Sequence, residues 1–353
     1  MSFRDYWSRD DGPDDDKLVS AHGRPINVMI KMDDDTIITG SQDHSAKVIK
    51  VSKAKVEREL YSKAYGHKEW VTALAYSDVT GKIITGGMDS KLCVWESKGP
   101  VKCVDLLGHS GSISQISCSP NLPIAVSSSY DKSMKIWNLQ NNTCMNTLIN
   151  SKLGHDKAIK TILWNNSLIC SGGRDGLVCM WDIQNGDLIS VGDEHKAPVQ
   201  CLVADESRET ILSGGMDGSI QIWDLRTANN VGGVENVIRG SINDVKLANE
   251  NMLVVGGSDK TIRVLDPRKN YAQVISIKDH VGVIMQLQVV DDLLLSCASN
   301  GWVLVHDLTN NGVCMYGVGA SEAASACNCI VAMEPYYLCA AGDDGNVIIF
   351  NSK

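Results

Sequence analysis

Eight segments of this chain end in variants of one phrase. Around Met216 it reads ILSGGMDGSIQIWDL, around Arg174 LICSGGRDGLVCMWDI, and around Met88 IITGGMDSKLCVWES. Aligning the turn acid puts Asp43, Asp89, Asp131, Asp175, Asp217, Asp259, Asn300 and Asp344 in register, at intervals of 46, 42, 44, 42, 42, 41 and 44 residues. A period near 42 with this content marks one supersecondary unit repeated through the chain. No unit of that size buries its own apolar face alone, so all eight must share one assembly even though 353 residues would otherwise suggest two or three domains.

A single unit, residues 195–224, shows how the repeat folds. VQCLV reads as a short strand, TILSG as a second after a polar turn, and SIQIWDL as a third with period-2 alternation. Gly-Met-Asp-Gly between the last two is a hairpin turn in which Gly and Asp supply unusual backbone angles. The polar stretch after Asp224 leads to a weaker fourth strand. Four antiparallel strands every 42 residues describe a propeller blade. The expected fold is therefore all-β: a closed β-propeller of four-stranded antiparallel blades, eight in number. Seven is the alternative, should the weak segment ASACNCIVAMEPYYLCA (324–340) form no strands.

The histidines sharpen this. Six of the eight (His22, His67, His109, His155, His195 and His280) stand 20 to 22 residues before a turn Asp or Asn. Their first reading is structural: His155, Ser171, Asp175 and Trp181 suit a buried chain from ring N–H to carboxylate and from hydroxyl to indole, and a buried network is strong only when complete. With Gly-His near each unit's start and Trp-Asp at its end, the chain resembles the WD-repeat β-propeller family. The pairs are Gly66-His67 with Trp95-Glu96, Gly108-His109 with Trp137-Asn138, Gly154-His155 with Trp181-Asp182, and Glu194-His195 with Trp223-Asp224. The resemblance runs from about residue 18 to the end. It implies four complete tetrads: His67, Thr85, Asp89 and Trp95; His109, Ser127, Asp131 and Trp137; His155, Ser171, Asp175 and Trp181; His195, Ser213, Asp217 and Trp223. Elsewhere the set decays, with Ile49 for Trp in the first unit, Val255 and Leu265 in the sixth, Asn300 and His306 in the seventh, and Ala340 and Phe350 in the eighth. The arc from the sixth unit to the first is expected to be the less rigid part.

The eighth motif ends at Phe350–Asn351, with no chain left for an outer strand, so Asp16–Ala21 is expected to supply it and close the ring. That leaves residues 1–15 as an acidic N-terminal tail with five aspartates, and residues 16–353 as a single propeller. The tail reads first as solvated; its aromatic pair, Tyr6 and Trp7 beside Arg4, could instead pack on the propeller or dock to a partner.

A net charge of −9 lacks the basic footprint that nucleic acid as a main ligand requires. No apolar run approaches the roughly 18–20 residues that span a bilayer. The N-terminus has charges where a signal peptide would be apolar, which points to the cytoplasm, with the nucleus as alternative. Twelve scattered cysteines then read as reduced thiols rather than a disulfide framework. Cys327 and Cys329 share a strand face without a second pair, so no metal and no cofactor are expected.

No catalytic constellation is evident: the Gly-Gly pairs belong to hairpins and no nucleophile elbow occurs. The chain reads as a non-catalytic interaction scaffold, a monomeric propeller within a larger complex. The alternatives are a phosphopeptide or ubiquitin recognition module and, from another class, an ester hydrolase, since a few family members are enzymes. In the family, partners often dock where the inner strands begin, touching the residue before each turn acid and those around the inner strand's first apolar residue. Carried over, the former are Gln42, Met88, Tyr130, Arg174, Met216, Ser258, Ser299 and Asp343. The latter include Asn27, Trp70, Thr72, Ser114, Lys160, Gln200, Asn243, Met285 and Asn328. Aromatic, Met and Arg residues favoured at interface centres concentrate in the second to fifth units, so the candidate partner-binding set is Trp70, Thr72, Met88, Tyr130, Lys160, Arg174 and Met216. Lys160 with Arg174 suits a carboxylate or phosphate; Trp70 and Tyr130 suit an aromatic or a cation. The adjacent positive charges favour an acidic or phosphorylated partner.

Overall fold

In the computed structural model, which describes residues 2–8, 12–165, 168–321 and 325–352, each repeat unit is a four-stranded antiparallel sheet. Blade 2 is typical: Val71–Ser77, Lys82–Gly87, Leu92–Glu96 and Cys103–Leu106 pair in chain order. Blades 1, 3, 4, 5, 6 and 7 occupy residues 26–60, 113–148, 159–192, 199–234, 242–277 and 284–319. The weak segment does form strands, Cys327–Met333 and Tyr337–Gly342, so the blades number eight and the seven-bladed alternative falls. The fold is an eight-bladed β-propeller. The eighth blade takes its outer strand from the other end of the chain: Asp15–Ser20 pairs antiparallel with Asn346–Asn351, with Val19 opposite Val347.

Two compact units make up the chain, one of Met1–Thr39, Lys47–Arg58 and Val234–Lys353, the other of Gly40–Ala46 and Glu59–Gly233. Within each, the core lies in layers between the faces of neighbouring blades. In the second unit Ile84, Leu92 and Val94 of blade 2 meet Ile113, Ile116 and Ala125 of blade 3. In the first, Val254, Ile262 and Val264 of blade 6 meet Ile284, Leu287 and Leu294 of blade 7. Strands in the middle of a blade are covered on both faces, which is why Thr210–Gly215 is buried throughout. The outermost strand faces solvent on one side and alternates, as Lys55–Leu60 does.

The turn acid organises each hairpin. Its carboxylate accepts the N–H two residues on, at 3.0 Å for Asp131 to Ser133 and for Asp217 to Ser219. The residue between adopts left-handed backbone: Gly176, Gly218, Gly301 and Gly345 in four blades, but His44, Ser90, Lys132 and Lys260 in the others. The Gly of Gly215-Met-Asp-Gly218 that precedes the acid serves space rather than backbone angle, a correction to the sequence reading. A Cβ on Gly215 would lie 2.5 Å from both His195 Nδ1 and Asp217 Oδ1.

The N-terminal segment is not simply solvated. Phe3–Trp7 form one helical turn with a Ser2–Asp5 capping box. Phe3 and Trp7 are buried against Leu293, Leu295 and Val305 of blade 7 and Ile330, Leu338 and Phe350 of blade 8. The Arg4 guanidinium donates to both oxygens of Asp307, at 3.2 and 2.7 Å, and Ser352 Oγ donates to Tyr6 O at 2.6 Å. Burial thus supports the packing alternative, with Phe3 beside Trp7 as the buried pair and Tyr6 half-buried at the edge. Of the tail's five aspartates, Asp10 and Asp11 lie outside the described residues.

Candidate partner-binding face on blades two to five

All seven candidate residues lie in the second unit, on a scaffold set by its four tetrads. In blade 3, His109 Nδ1 is 2.7 Å from Asp131 and Nε2 is 2.8 Å from Ser127 Oγ, which accepts the Trp137 indole N–H at 2.8 Å. The ionised carboxylate only accepts, so Nδ1 carries the ring proton and the serine O–H donates to Nε2. Blade 2 repeats this through Thr85 (2.7 Å from His67, 3.1 Å from Trp95), blade 4 through Ser171 (2.9 and 2.9 Å) and blade 5 through Ser213 (2.8 and 2.8 Å). Burial opposes the charge on Asp131, yet hydrogen bonds from His109, Ser133 and the Ser110 N–H hold its carboxyl well below the usual carboxylate range. Asp89, Asp175 and Asp217 are lowered against the same opposition. The four hydroxyls are wholly buried and committed to both His and Trp, so these His–Ser pairs present no nucleophile to a substrate.

Outside these blades the sets are incomplete in the way the sequence indicates. His22 keeps a 2.8 Å contact with Thr39, and His280 one with Ser296. In blade 6 the space beside Gly257, which a histidine fills beside the matching Gly87, Gly173 and Gly215 of blades 2, 4 and 5, is taken by Ile238. There Asp259 binds Arg263 at 3.2 Å instead.

In blades 2 to 8 the residue before the turn acid is held by one recurrent bond. Its N–H donates to the carbonyl just ahead of the inner strand: Met88 to Trp70 (2.9 Å), Tyr130 to Ser112 (2.9 Å), Arg174 to Ala158 (2.8 Å) and Met216 to Pro198 (2.8 Å). Trp70 is thereby fixed beside Met88. Exposure is substantial for these anchors, 38% for Trp70, 43% for Met88, 41% for Tyr130 and 45% for Met216. Arg174 and Lys160 are exposed as well.

Two contacts join blades along this row. Ser112 Oγ donates to Met88 O at 3.4 Å, and the Arg174 guanidinium lies 4.8 Å over the Tyr130 ring while donating to its hydroxyl at 3.0 Å. Lys160 stands near Arg174, and its ammonium is held below the ordinary lysine value, first by the surrounding protein and then by the Arg174 charge. Thr72 differs from its companions. Its hydroxyl donates to Ile113 O of blade 3 at 2.6 Å, the same latch that Ser114 makes to Ile159 O. Asn243 to Ile284 O and Asn328 to Ile26 O repeat the latch in the first unit. The inner-strand position is therefore a tie between blades, which Lys160 fills with a charge. Sequence reasoning missed Ser112 and the Tyr130–Arg174 stack. The 44-residue separation of that pair, one repeat length, was the available signal.

Comparison with known proteins agrees with this architecture. The WD40 family model (WD domain, G-beta repeat) matches residues 58–96, 101–138, 143–182 and 186–224, the stretch that holds the four complete tetrads. Residues 58–224 thus carry four WD40 repeats, in a chain whose fold is an eight-bladed β-propeller. Human pre-mRNA-processing factor 17 is 26% identical over 149 residues, covering 41% of this chain and 26% of that one. U3 small nucleolar RNA-associated protein 13 of Saccharomyces cerevisiae is 29% identical over 158 residues, 40% of this chain and 19% of that one. The ribosome biogenesis protein WDR12 homolog of Aedes aegypti is 28% identical over 165 residues, 45% and 37% respectively. The matched segments thus span well under half of each relative. Among solved structures, the computationally designed Ika8 protein superposes with a TM-score of 0.81 at 22% identity, covering 94% of this chain and 98% of that one, a likeness of fold.

Proposed function

We propose that this chain is a non-catalytic scaffold that binds an acidic or phosphorylated protein segment across blades 2 to 5. The observation that carries the reading is the row of exposed side chains Trp70, Met88, Tyr130, Arg174 and Met216, presented by identical backbone bonds on the four blades with complete tetrads. A surface already ordered loses little entropy on binding. Arg174 already lies on the Tyr130 ring, so that face is taken by a cation. This weighs against a lysine-bearing partner and in favour of an anion shared by Arg174 and Lys160. A phosphopeptide-reading role in a ubiquitin pathway is the sharper form of the same chemistry. The relatives named for pre-mRNA processing, U3 small nucleolar RNA association and ribosome biogenesis favour a multi-component assembly and the nuclear alternative over the cytoplasmic one. Net charge keeps nucleic acid a secondary ligand in this reading.

The test is calorimetric titration of the full chain with acidic, phosphorylated and methyl-lysine peptide pools, beside a Trp70→Ala/Tyr130→Ala/Arg174→Ala variant. Circular dichroism must first show the variant folded. Binding of the acidic or phosphorylated pools, lost in the variant, is the expected result. Binding confined to the methyl-lysine pool, or equal binding by the folded variant, overturns the reading. If no pool binds, affinity capture from native extract with the same pair of proteins decides whether a larger folded partner uses this face.

A further inference from the structure

Blade 7 departs from the tetrad in a direction none of the other incomplete blades takes. Where blades 2 to 5 bury a tryptophan, it buries a second imidazole, His306, fully covered in Leu293–Ala298's neighbouring strand Trp302–Asp307. Opposite it across the sheet, on Val313–Gly319, stands Cys314, its pairing partner at a bulge in the ladder. Asp279 reaches the same point from the loop ahead of the blade. His306 Nε2 is 3.2 Å from Asp279 Oδ2, and ring nitrogen, thiol sulfur and carboxylate oxygen all lie within 4.8 Å of one another.

We infer that Asp279, His306 and Cys314 form a binding site for a divalent transition-metal ion of the zinc class. A tetrahedral ion with nitrogen, sulfur and oxygen at about 2.0, 2.3 and 2.0 Å holds its ligand atoms roughly 3.3–3.6 Å apart, so the His306–Asp279 separation is already suitable. The donor set is mixed. Thiolate and imidazole select zinc, cobalt or iron, whereas magnesium and calcium take oxygen ligands alone. Three protein ligands leave a fourth position open, and Asp279, itself exposed to solvent, also lines a cleft of about 240 Å³ with His280, Asn300 and Trp302. The surroundings are polar and incompletely satisfied: His306 Nδ1, His280 Nδ1 and Asn300 Oδ1 are buried without a protein partner. On binding, the Cys314 S–H bond breaks and its proton passes to solvent, the ring proton that faces Asp279 on His306 Nε2 is exchanged through solvent to Nδ1, and the freed sulfur and Nε2 electron pairs go to the metal. A second cluster, Cys93, Cys103 and Asp105 in blade 2, is weaker for a cation, because the Lys91 ammonium sits 2.7 Å from Asp105.

Cobalt(II) is the probe. The reduced full chain, stripped with chelator, is titrated with Co²⁺ and then with Zn²⁺. The expected result is one equivalent of tetrahedral cobalt with a thiolate charge-transfer band, displaced by zinc, absent in Cys314→Ser and retained in Cys103→Ser. No band, or a band that survives Cys314→Ser, overturns the site. Should Cys314→Ser fail to fold by circular dichroism, Asp279→Asn decides on an exposed residue. Affinity is expected to fall about tenfold or more, the order that losing even an outer-shell partner costs, and unchanged affinity overturns the proposal.

Discussion

Ser171 Oγ lies 2.9 Å from both His155 Nε2 and Trp181 Nε1, and it is wholly buried, so a single atom satisfies two buried rings. Ser171→Ala leaves both partners without their bond, which should cost about 1–3 kcal/mol. Val255→Ala, at the matching position of blade 6, removes only methyl groups from an apolar site and should cost about 1–2 kcal/mol, at about 0.8 kcal/mol per buried methylene. The two are separable by pH: urea unfolding should show the loss in Ser171→Ala shrinking below the carboxylate range, where the Asp175 link to His155 also fails, while Val255→Ala stays constant. Equal, pH-independent losses would argue that the tetrad is packing alone. Asp131 gives the sign of that pH dependence. Its carboxyl is depressed in the folded chain, so the unfolded chain takes up protons first as pH drops. Its stabilisation is complete above the ordinary carboxylate value near 4 and disappears as pH falls below it toward the folded value. Asp131→Asn should therefore be less stable than the native chain at pH 7 yet show a shallower loss on acidification; parallel curves would contradict this. These residues were legible in the sequence because the repeat puts each His 20 to 22 residues ahead of its acid. Ile238, in the place of a histidine, was not, because nothing polar marks it.

At the scale of elements, the hairpins were readable from turn chemistry, and the eighth blade from counting strands against the end of the chain. The pairing of Asp15–Ser20 with Asn346–Asn351 covers an edge that would otherwise expose a row of unpaired N–H and C=O groups. Deleting residues 1–14 removes the docked helical turn, and deleting 1–20 removes the strand as well. The shorter deletion uncovers the apolar sites of Phe3 and Trp7 and should lower the melting temperature. The longer one should lower it further and add self-association in size-exclusion chromatography. Identical behaviour of the two would mean that the strand contributes nothing beyond the helix. The docking itself was not legible. A five-residue helix has no stability of its own, and only the groove between blades 7 and 8 makes Phe3 and Trp7 core residues.

At the scale of the molecule, a partner held through Arg174 and Lys160 binds by charge at an exposed surface, so its affinity should fall as salt rises. Titration of the responding peptide pool at low and high ionic strength checks this; a salt-independent affinity would shift the weight to Trp70 and Met88. The sequence by itself determined the repeat, the four tetrads and the acid-centred turns, because each is a local pattern copied at a nearly regular period, while eight blades rather than seven awaited the strands Cys327–Met333 and Tyr337–Gly342. Only the tertiary structure decided what depends on neighbours far apart in the chain. It laid Arg174 on Tyr130, committed the Thr72 hydroxyl to Ile113, buried the N-terminal aromatics and brought Asp279, His306 and Cys314 to one point. The physical reason is that these contacts join side chains on different strands or different blades, and no periodicity along a strand records which of them touch.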